Sequence, residues 1–351
     1  MGGSVRVAIQ IANALVDRYC VTMISCSSFD KVAFPMDARI RTYSLEIQGG
    51  RLRERVSAAR KPLCDILNDE DVDVLFGIGT YETLMAIMPC RSEDVELIFC
   101  DHGALANQWN DKQMRIIRLF DAWFSAKTVV LTERSLADYR NLLHISKRKT
   151  MRIPNWIPSE LLNPERLYDQ SSRKLLWAGR LDKEKGVDHL VNIAERVLPR
   201  HPDWVWDVYG EEVMSDGGFD VRREIESRGL GAQLRLMGKV DNLYDLYSQY
   251  AVCTLTSYRE GLPLTLLEGK ACKLPLISFD VTTGPADIIE SGVNGFLVEP
   301  YNCEEYAERL NELMSDESLR VRMSRDSVIG LDDYSESSVL ARWIELIEEV
   351  G

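Results

Sequence analysis

Two glutamates, Glu260 and Glu268, are separated by seven residues that include a glycine, a proline and several leucines. A proline is tolerated at the first helical position, so Pro263 predicts the start of a helix there. The first amides of that helix, on Leu264 and Thr265, would lack intrahelical acceptors and lie at the positive end of its dipole. The pattern predicts an anion site, such as one for a diphosphate, beside two carboxylates that hold hydroxyl groups. The alternative is a capped surface helix with two solvated glutamates.

Two cations are expected at the same end of the molecule. Arg180 and Lys185 follow an apolar stretch that ends at Gly179 and reads as a buried strand. In open α/β sheets, ligands bind at the carboxyl ends of parallel strands. A guanidinium can bind phosphate oxygens bidentately and an ammonium binds them as a point charge, so both suit a diphosphate. The other ions of this loop fit a solvated surface.

Short apolar strands alternate with helical patterns along the whole chain, which predicts an α/β fold with parallel sheets. The predicted strands are residues 21–26, 72–78, 96–100, 128–131, 174–178, 204–209, 234–237, 252–256, 276–279 and 295–298. Pro154 and Pro158 disfavour helix between the two halves and indicate an extended linker there. We therefore predict one domain over residues 1–152 and a second that begins at residue 153.

The charge balance excludes nucleic acid as a partner. The chain has 351 residues and a formal net charge of −13. Residues 1–152 hold 21 Lys and Arg against 19 Asp and Glu, so this half could approach an anionic surface that the acidic remainder would avoid. The sequence has neither a signal-peptide pattern nor an apolar run of about eighteen residues, and its eight cysteines are dispersed. We expect a cytosolic protein.

Residues 112–127 interleave apolar and basic side chains at helical spacing. The apolar positions are Ile116, Ile117, Leu119, Phe120, Trp123 and Phe124, and the basic positions among them are Arg115 and Arg118. Such a helix could lie at an anionic membrane surface. It could also pack its apolar face into its own domain, which is commoner among amphipathic helices, and we expect this second arrangement.

Several motifs occur in an order that resembles retaining family 4 glycosyltransferases. They are Gly179-Arg180 with Lys185-Gly186, residues 236–240, Glu260 with Glu268, residues 283–289 and residues 294–297. The resemblance covers nearly the whole chain and implies a GT-B fold, in which two Rossmann-like domains with parallel sheets face a cleft. It implies that residues 153–334 bind the nucleotide-sugar, that residues 1–152 lie on the acceptor side, and that the helix within 335–351 returns to the N-terminal domain.

The resemblance also implies roles for individual residues. Arg180 and Lys185 match the pair that binds the donor diphosphate, and Glu268 matches the acid that holds the ribose hydroxyls. Glu260 matches the acid near the donor sugar. The backbone that lines the sugar and phosphates would belong to Gly261, Leu262, Pro263 and Leu264. Val240 matches the strand end whose backbone contacts the base, and His102 matches a histidine near the donor sugar.

The N-terminus departs from the family pattern. Gly2 and Gly3 resemble the glycine-rich donor loop, and the residues after them resemble the first helix. The family places a hydrophobic strand before this loop, so we expect a first strand that the sequence does not contain. A start site assigned too late or a truncated chain would explain this. The alternation in residues 5–11 also fits a strand, but the resemblance favours a helix.

The function that the resemblance implies is retaining transfer of a sugar from a nucleoside diphosphate, with UDP favoured over GDP. The acceptor would be a glycan or a lipid-linked glycan in cell-surface polysaccharide synthesis. No metal or separate cofactor is expected, because Asp71 and Asp73 read as the start of a strand and the nucleotide-sugar is a substrate. Peripheral contact with an anionic membrane would suit the basic clusters of residues 1–152. The alternatives are a catalytically silent scaffold and a GT-B sugar-nucleotide epimerase.

Overall fold

The chain divides into two compact units. The computed structural model describes residues 3–27, 34–47, 49–162, 167–212, 219–240 and 242–351. Unit 1 comprises Met1–Asn155 and Ser337–Gly351, and unit 2 comprises Trp156–Glu336. Each is built from parallel strands and helices, so the predicted α/β class is confirmed.

The first half begins with a helix. Its elements are α1 (Gly3–Leu15), β1 (Thr22–Ser25), β2 (Arg41–Ser44), α2 (Leu52–Asp69), β3 (Val74–Ile78), α3 (Thr80–Glu93), β4 (Glu96–Asp101), α4 (Lys112–Phe124), β5 (Lys127–Val130), α5 (Glu133–Asn141) and β6 (Thr150–Arg152). In α1 the side chains of Val7, Ile11 and Leu15 are buried along one face. This face has helical spacing, so the predicted helix is confirmed and the alternative of a strand over residues 5–11 is wrong.

The second half alternates regularly between strands and helices. Its elements are β7 (Lys174–Ala178), α6 (Val187–Val197), β8 (Val205–Tyr209), α7 (Val221–Ser227), β9 (Leu234–Gly238), β10 (Val252–Leu255), α8 (Leu264–Ala271), β11 (Leu276–Phe279), α9 (Pro285–Ile288), β12 (Gly295–Val298), α10 (Cys303–Ser315), α11 (Glu317–Asp326) and α12 (Glu336–Val350).

The strands of unit 2 have the order of a doubly wound sheet. Their spatial order is β12-β11-β10-β7-β8-β9, and all the pairings are parallel. The first strand, β7, therefore lies beside the fourth, β10, with Trp177 opposite Thr254. The direction of winding reverses between these two strands. Ligands bind at such a switch point, outside the carboxyl ends of the strands.

The core of unit 2 explains its continuous apolar runs. Leu175, Leu176 and Trp177 in β7 are fully buried, because helices cover both faces of a parallel sheet. The indole N–H of Trp177 donates to the hydroxyl of Thr256 at 2.9 Å, so this buried ring leaves no polar atom unsatisfied. The same bond fixes the side chain of Thr256, which is the first residue after β10.

The strands of unit 1 form two parallel groups. β3, β4, β5 and β6 make one sheet in that order, and β1 pairs with β2 in another. The C-terminal helix α12 packs within this unit, where the rings of Trp343 and Phe76 meet edge to face at 5.3 Å. Lys127 on β5 also pairs with Glu349 near the end of α12.

Helix α4 presents its apolar residues differently from the prediction. Ile116, Phe120, Trp123 and Phe124 are all exposed, and the buried face instead includes Arg118. The expectation that this apolar face packs into its own domain was therefore wrong for these four residues. α4 has 13 residues, and within the described ranges no helix is both long and apolar enough to cross a bilayer.

Candidate active site

Two loops leave neighbouring strands at one edge of the sheet of unit 2. Residues 179–186 follow β7 and residues 256–263 follow β10. Because β7 and β10 are paired in parallel, their carboxyl ends lie together. This is the switch point of the doubly wound sheet, and it carries most of the residues that the sequence predicted for the site.

The first loop depends on a glycine in the left-handed region. Gly186 has a φ of 65°, and a Cβ there would lie 1.9 Å from the carbonyl oxygen of Thr256. Glycine therefore allows the two loops to approach each other this closely. The amide of Lys185 donates to Oδ1 of Asp182 at 3.0 Å, which closes the turn before Gly186.

Arg180 lies at the start of the same loop with a half-exposed side chain. Its guanidinium is 3.1 Å from Asp182 and 3.8 Å from Glu184. Ion pairs at this level of exposure contribute little free energy, so an anionic ligand could replace them at low cost. Arg180 is thus a cation available at the end of β7.

Lys185 and Glu260 are brought together by the two loops. The ammonium Nζ lies 2.7 Å from Oε1 of Glu260, and the glutamate side chain is 7% exposed. The hydroxyl of Ser257 also donates to Oε1, at 2.6 Å. The carboxylate therefore has a fixed position and a neutralising cation beside it.

The backbone around Glu260 is fixed by the segment that follows β11. The hydroxyl of Thr283 donates to the carbonyl oxygen of Glu260 at 2.6 Å. Gly284 has a φ of 95°, and a Cβ there would lie 2.5 Å from the carbonyl oxygen of Gly261. Thr283 and Gly284 therefore hold the backbone beside Glu260. This contact explains why the motif at residues 283–289 occurs together with the paired glutamates.

Helix α8 begins where the second loop ends. Pro263 is the N-cap residue and Leu264 is the first helical residue, so the proline lies one position earlier than predicted. The amides of Leu264 and Thr265 belong to the first turn and have no intrahelical acceptor. The hydroxyl of Thr265 donates to the carbonyl oxygen of Ala178 at 3.2 Å, which joins the start of α8 to the end of β7.

Glu268 is buried on the second turn of α8, with 5% of its surface exposed. The hydroxyl of Tyr247 donates to Oε2 of Glu268 at 2.7 Å. Burial and the nearby carboxylate hold the pKa of Tyr247 well above its ordinary value, so this hydroxyl stays protonated. Tyr247 and Ser257 thus hold the two glutamates, and neither was predicted for the site.

Val240 lies two residues beyond the end of β9, which closes at Gly238. The amide of Gly210 donates to the carbonyl oxygen of Gly238 at 2.9 Å. A Cβ on Gly210 would lie 1.8 Å from the carbonyl oxygen of Gly179, so this glycine lets the ends of β7, β8 and β9 meet. Val240 is therefore at the expected end of the sheet, beside strands whose loops carry the cations.

The arrangement has the chemistry of an anion and hydroxyl site. Arg180, Lys185 and the first turn of α8 provide positive charge. Lys185 pairs with Glu260, and Thr265 joins the start of α8 to the end of β7. Buried carboxylates accept hydrogen bonds from hydroxyl groups, as Glu268 does from Tyr247. A ligand with a diphosphate between two hydroxyl-bearing groups fits this set.

His102 belongs to unit 1 and follows β4 directly. Burial lowers the pKa of this imidazole to about 4, so the ring is neutral near pH 7. Its Nε2 atom is buried and has no hydrogen-bond partner among the described residues. A neutral ring nitrogen can exchange a hydrogen bond with a ligand hydroxyl, but it does not supply a positive charge.

The end of β4 is fixed by a buried polar cluster. The carboxylate of Asp101 accepts from Nε of Arg118 at 2.9 Å and from the hydroxyl of Tyr139 at 2.7 Å. It also accepts from the amide of Gly103 at 2.9 Å. Asp101 and Gly103 flank His102, so the cluster sets the backbone position of the histidine.

The predicted glycine-rich loop is only partly described. Gly3 is the exposed first residue of α1, and Gly2 lies outside the described residues. Within the described ranges, no group of three or more His, Cys, Asp or Glu is placed to hold a metal ion.

Two protein-family models match the chain in succession. The model described as Glycosyltransferase Family 4 matches residues 1–161, and the model described as Glycosyl transferases group 1 matches residues 160–327. Together they span both units. With the doubly wound sheet and its loops, they identify the chain as a glycosyltransferase of the GT-B fold.

Full-length relatives agree with this class. An uncharacterised glycosyltransferase of Haemophilus influenzae is 25% identical over 348 residues, covering 97% of this chain and 95% of the relative. The GalNAc-α-(1→4)-GalNAc-α-(1→3)-diNAcBac-PP-undecaprenol α-1,4-N-acetyl-D-galactosaminyltransferase of Campylobacter jejuni is 25% identical, covering 99% of this chain and 96% of the relative. Five further relatives are longer, and this chain spans 23% to 43% of their lengths.

A solved structure confirms the fold. HepE of Anabaena, in complex with UDP and glucose, superposes with a TM-score of 0.82 at 16% identity, covering 99% of this chain and 96% of HepE.

Proposed function

We propose that this chain is a retaining family 4 glycosyltransferase that moves a sugar from a UDP-sugar to a glycan or lipid-linked acceptor in cell-surface polysaccharide synthesis. The observation that carries the proposal is the ion pair of Lys185 and Glu260, at a switch point where α8 begins. The cation and the helix N-terminus there suit the diphosphate of a nucleotide-sugar, and the buried carboxylate suits its hydroxyl groups.

The donor would lie across the ends of β7 and β10. Lys185 and Arg180 would contact the diphosphate, together with the amides at the start of α8. Glu268, held by Tyr247, would accept hydrogen bonds from the ribose hydroxyls. Glu260 would accept them from the sugar. An ammonium has three donors, so Lys185 can keep its bond to Glu260 while it contacts a phosphate oxygen.

Bond cleavage at the anomeric carbon places negative charge on the departing UDP. Arg180, Lys185 and the first turn of α8 would stabilise that charge as it develops, which is the type of electrostatic assistance that lowers such barriers most. A hydroxyl of the acceptor would then attack the anomeric carbon on the face that UDP leaves. Its proton would pass to the departing diphosphate oxygen, and attack on that face retains the configuration. His102 would act as a neutral hydrogen-bonding ring at pH 7, because its pKa lies near 4.

The acceptor is proposed from one relative and from charge. The Campylobacter jejuni relative acts on a glycan linked to undecaprenol diphosphate, as its name states. Residues 1–152 of this chain are close to neutral, with 21 Lys and Arg against 19 Asp and Glu. That half is suited to approach a negatively charged lipid carrier.

Titration calorimetry with UDP, followed by a turnover assay with a panel of UDP-sugars, tests the proposal. We expect wild type to bind UDP and Lys185→Met to lose binding by about tenfold or more, since a charge-assisted contact contributes roughly 1.5–3 kcal/mol. Lys183→Met is the matched control, because Lys183 is an exposed cation of the same loop. Absence of UDP binding by wild type would favour the silent scaffold, and turnover without net transfer would favour the epimerase.

A further inference from the structure

Helix α4 buries the charged residues Arg118 and Asp121 and exposes four large apolar side chains. The exposed fractions of Trp123, Ile116, Phe120 and Phe124 are 63%, 54%, 48% and 41%. These residues recur at helical spacing and form one face, and the rings of Phe120 and Phe124 stack at 5.8 Å. We call these four residues the apolar ridge. A helix that met water alone would show polar residues there.

Buried contacts fix the rotation of α4. Arg118 and Asp101 form an ion pair at 2.9 Å, and each of these side chains is 2% exposed. Met114 and Ile117 are buried on the same side of the helix. Turning the ridge inward would expose Met114 and Ile117 and break a buried ion pair, which is strongly unfavourable. The outward position of the ridge is thus a property of the fold.

Cations border the apolar ridge. The guanidinium of Arg91 lies 5.4 Å from the centre of the Phe124 ring. Nζ of Lys149 donates to the carbonyl oxygen of Trp123 at 2.7 Å, which places the turn Lys147–Lys149 at the end of the helix. Between residues 112 and 127 the acidic residue is Asp121, and it is buried on the opposite side.

We propose that the apolar ridge and the basic turn Lys147–Lys149 form a docking surface for an anionic lipid bilayer. Aromatic side chains favour the boundary between headgroups and acyl chains, and exposed lysine and arginine favour anionic headgroups. A second copy of the chain would place cations against cations, so the charge pattern fits lipid better. The purpose of this docking, access to a lipid-linked acceptor, rests on the proposed function.

Vesicle flotation with the full chain tests the docking surface. Wild type should bind vesicles that contain about one-third phosphatidylglycerol and bind much less to pure phosphatidylcholine. Phe120→Gln with Trp123→Gln should weaken this partitioning by about tenfold or more, since both side chains lose their apolar insertion. Val328→Gln with Ile329→Gln is the matched control, because these exposed residues belong to unit 2. The control should bind as wild type does.

A second pair of variants tests the charge. Lys147→Glu with Arg148→Glu should weaken binding to anionic vesicles by at least about thirtyfold, because each surface cation contributes roughly fivefold. Arg222→Glu with Arg223→Glu makes the same change of charge at an exposed site on α7 and should have a much smaller effect.

Three results would overturn the inference. The first is absence of wild-type binding to anionic vesicles, and the second is equal loss of binding in the test and control variants. The third is a wild-type dimer that Phe120→Gln with Trp123→Gln converts to a monomer, which would make the ridge a contact between copies. UDP binding is measured on every variant. Loss of lipid binding with normal UDP affinity would show that the variant affects the docking surface and not the donor site. Lack of UDP binding by wild type would instead contradict the proposed function.

Discussion

Replacing Lys185 with methionine removes one ammonium group and keeps an apolar stem of similar length. In wild type this group lies 2.7 Å from a carboxylate of Glu260 that is 7% exposed, and the Lys185 side chain is 22% exposed. Breaking a fully buried pair costs about 3–5 kcal/mol. Water reaches this lysine in part, so we expect Lys185→Met to lower the free energy of unfolding by about 1–3 kcal/mol.

A double-mutant cycle separates this structural cost from the chemistry. Glu260→Gln removes the buried charge, so Lys185→Met should cost little more in that background. The coupling energy should be about 1–2 kcal/mol by urea unfolding. Turnover should behave differently. Lys185 would also stabilise the departing diphosphate, so the double variant should regain stability while its kcat stays about a hundredfold or more below wild type.

Two results would refute this reasoning about Lys185. Additive stability losses would mean that the 2.7 Å contact with Glu260 contributes nothing specific. A kcat of Lys185→Met within about twofold of wild type would show that the Lys185 ammonium does not assist the reaction. Loss of such an electrostatic contact ordinarily lowers kcat about a hundredfold. Lys183→Met should match wild type in both measurements.

Tyr247→Phe should weaken UDP binding by about tenfold and narrow the preference for UDP over 2′-deoxy-UDP in calorimetry, because Glu268 loses a hydroxyl donor at 2.7 Å. Gly186→Ala should cost about 1–3 kcal/mol more in urea unfolding than Gly229→Ala. Both glycines have φ near 65°, at 65° and 66°, but the added Cβ meets a carbonyl oxygen in Gly186→Ala and open space in Gly229→Ala. Burial raises the pKa of Asp121 to about 8, against an ordinary value near 4. Between these values the folded chain holds a proton that the unfolded chain has released, so stability should fall as pH rises, by at most about 1.4 kcal/mol per pH unit. Asp121→Asn should remove this slope.

Each of these predictions has a result that contradicts it. An unchanged preference of Tyr247→Phe for UDP over 2′-deoxy-UDP would show that Tyr247 does not contribute to ribose binding. Equal costs for the two glycine variants would mean that the loop near Gly186 can move away. The slope for Asp121 is best measured between pH 7 and 8.5, because His102, with a pKa of about 4 in the fold, acts in the opposite direction below its ordinary pKa of about 6.5. A wild-type chain with a flat profile in that window would contradict the Asp121 prediction.

The buried strands could be predicted because their burial on both faces requires continuous apolar runs. β7, β11 and β12 have the predicted bounds, and the other predicted strands differ by one or two residues at their ends. β2 was missed. Its residues, Arg41–Ser44, are largely exposed, so its pairing with β1 leaves no apolar pattern. β6 was also missed, because Thr150–Arg152 is short and polar.

The glutamates and cations of the site could be predicted because local patterns accompany them: a glycine turn, a helix start and a strand end. The residues that hold these side chains in place could not be predicted. Tyr247 reaches Glu268 across 21 positions, and Thr265 reaches Ala178 across 87 positions. Such bonds depend on how strands are ordered in the sheet, and a single sequence does not state that order.

The sequence by itself determined the α/β class, the run of the buried strands and the chemistry present at each loop. Those properties follow from periodicity and from side-chain type, which act over a few residues. The tertiary structure decided that β7 lies beside β10, which brings Lys185 to Glu260 across 75 positions. It also decided which way α4 faces, because Met114 and Ile117 are buried on the side where Arg118 pairs with Asp101. Both outcomes depend on burial and charge pairing between distant segments, which exist only once the chain is folded.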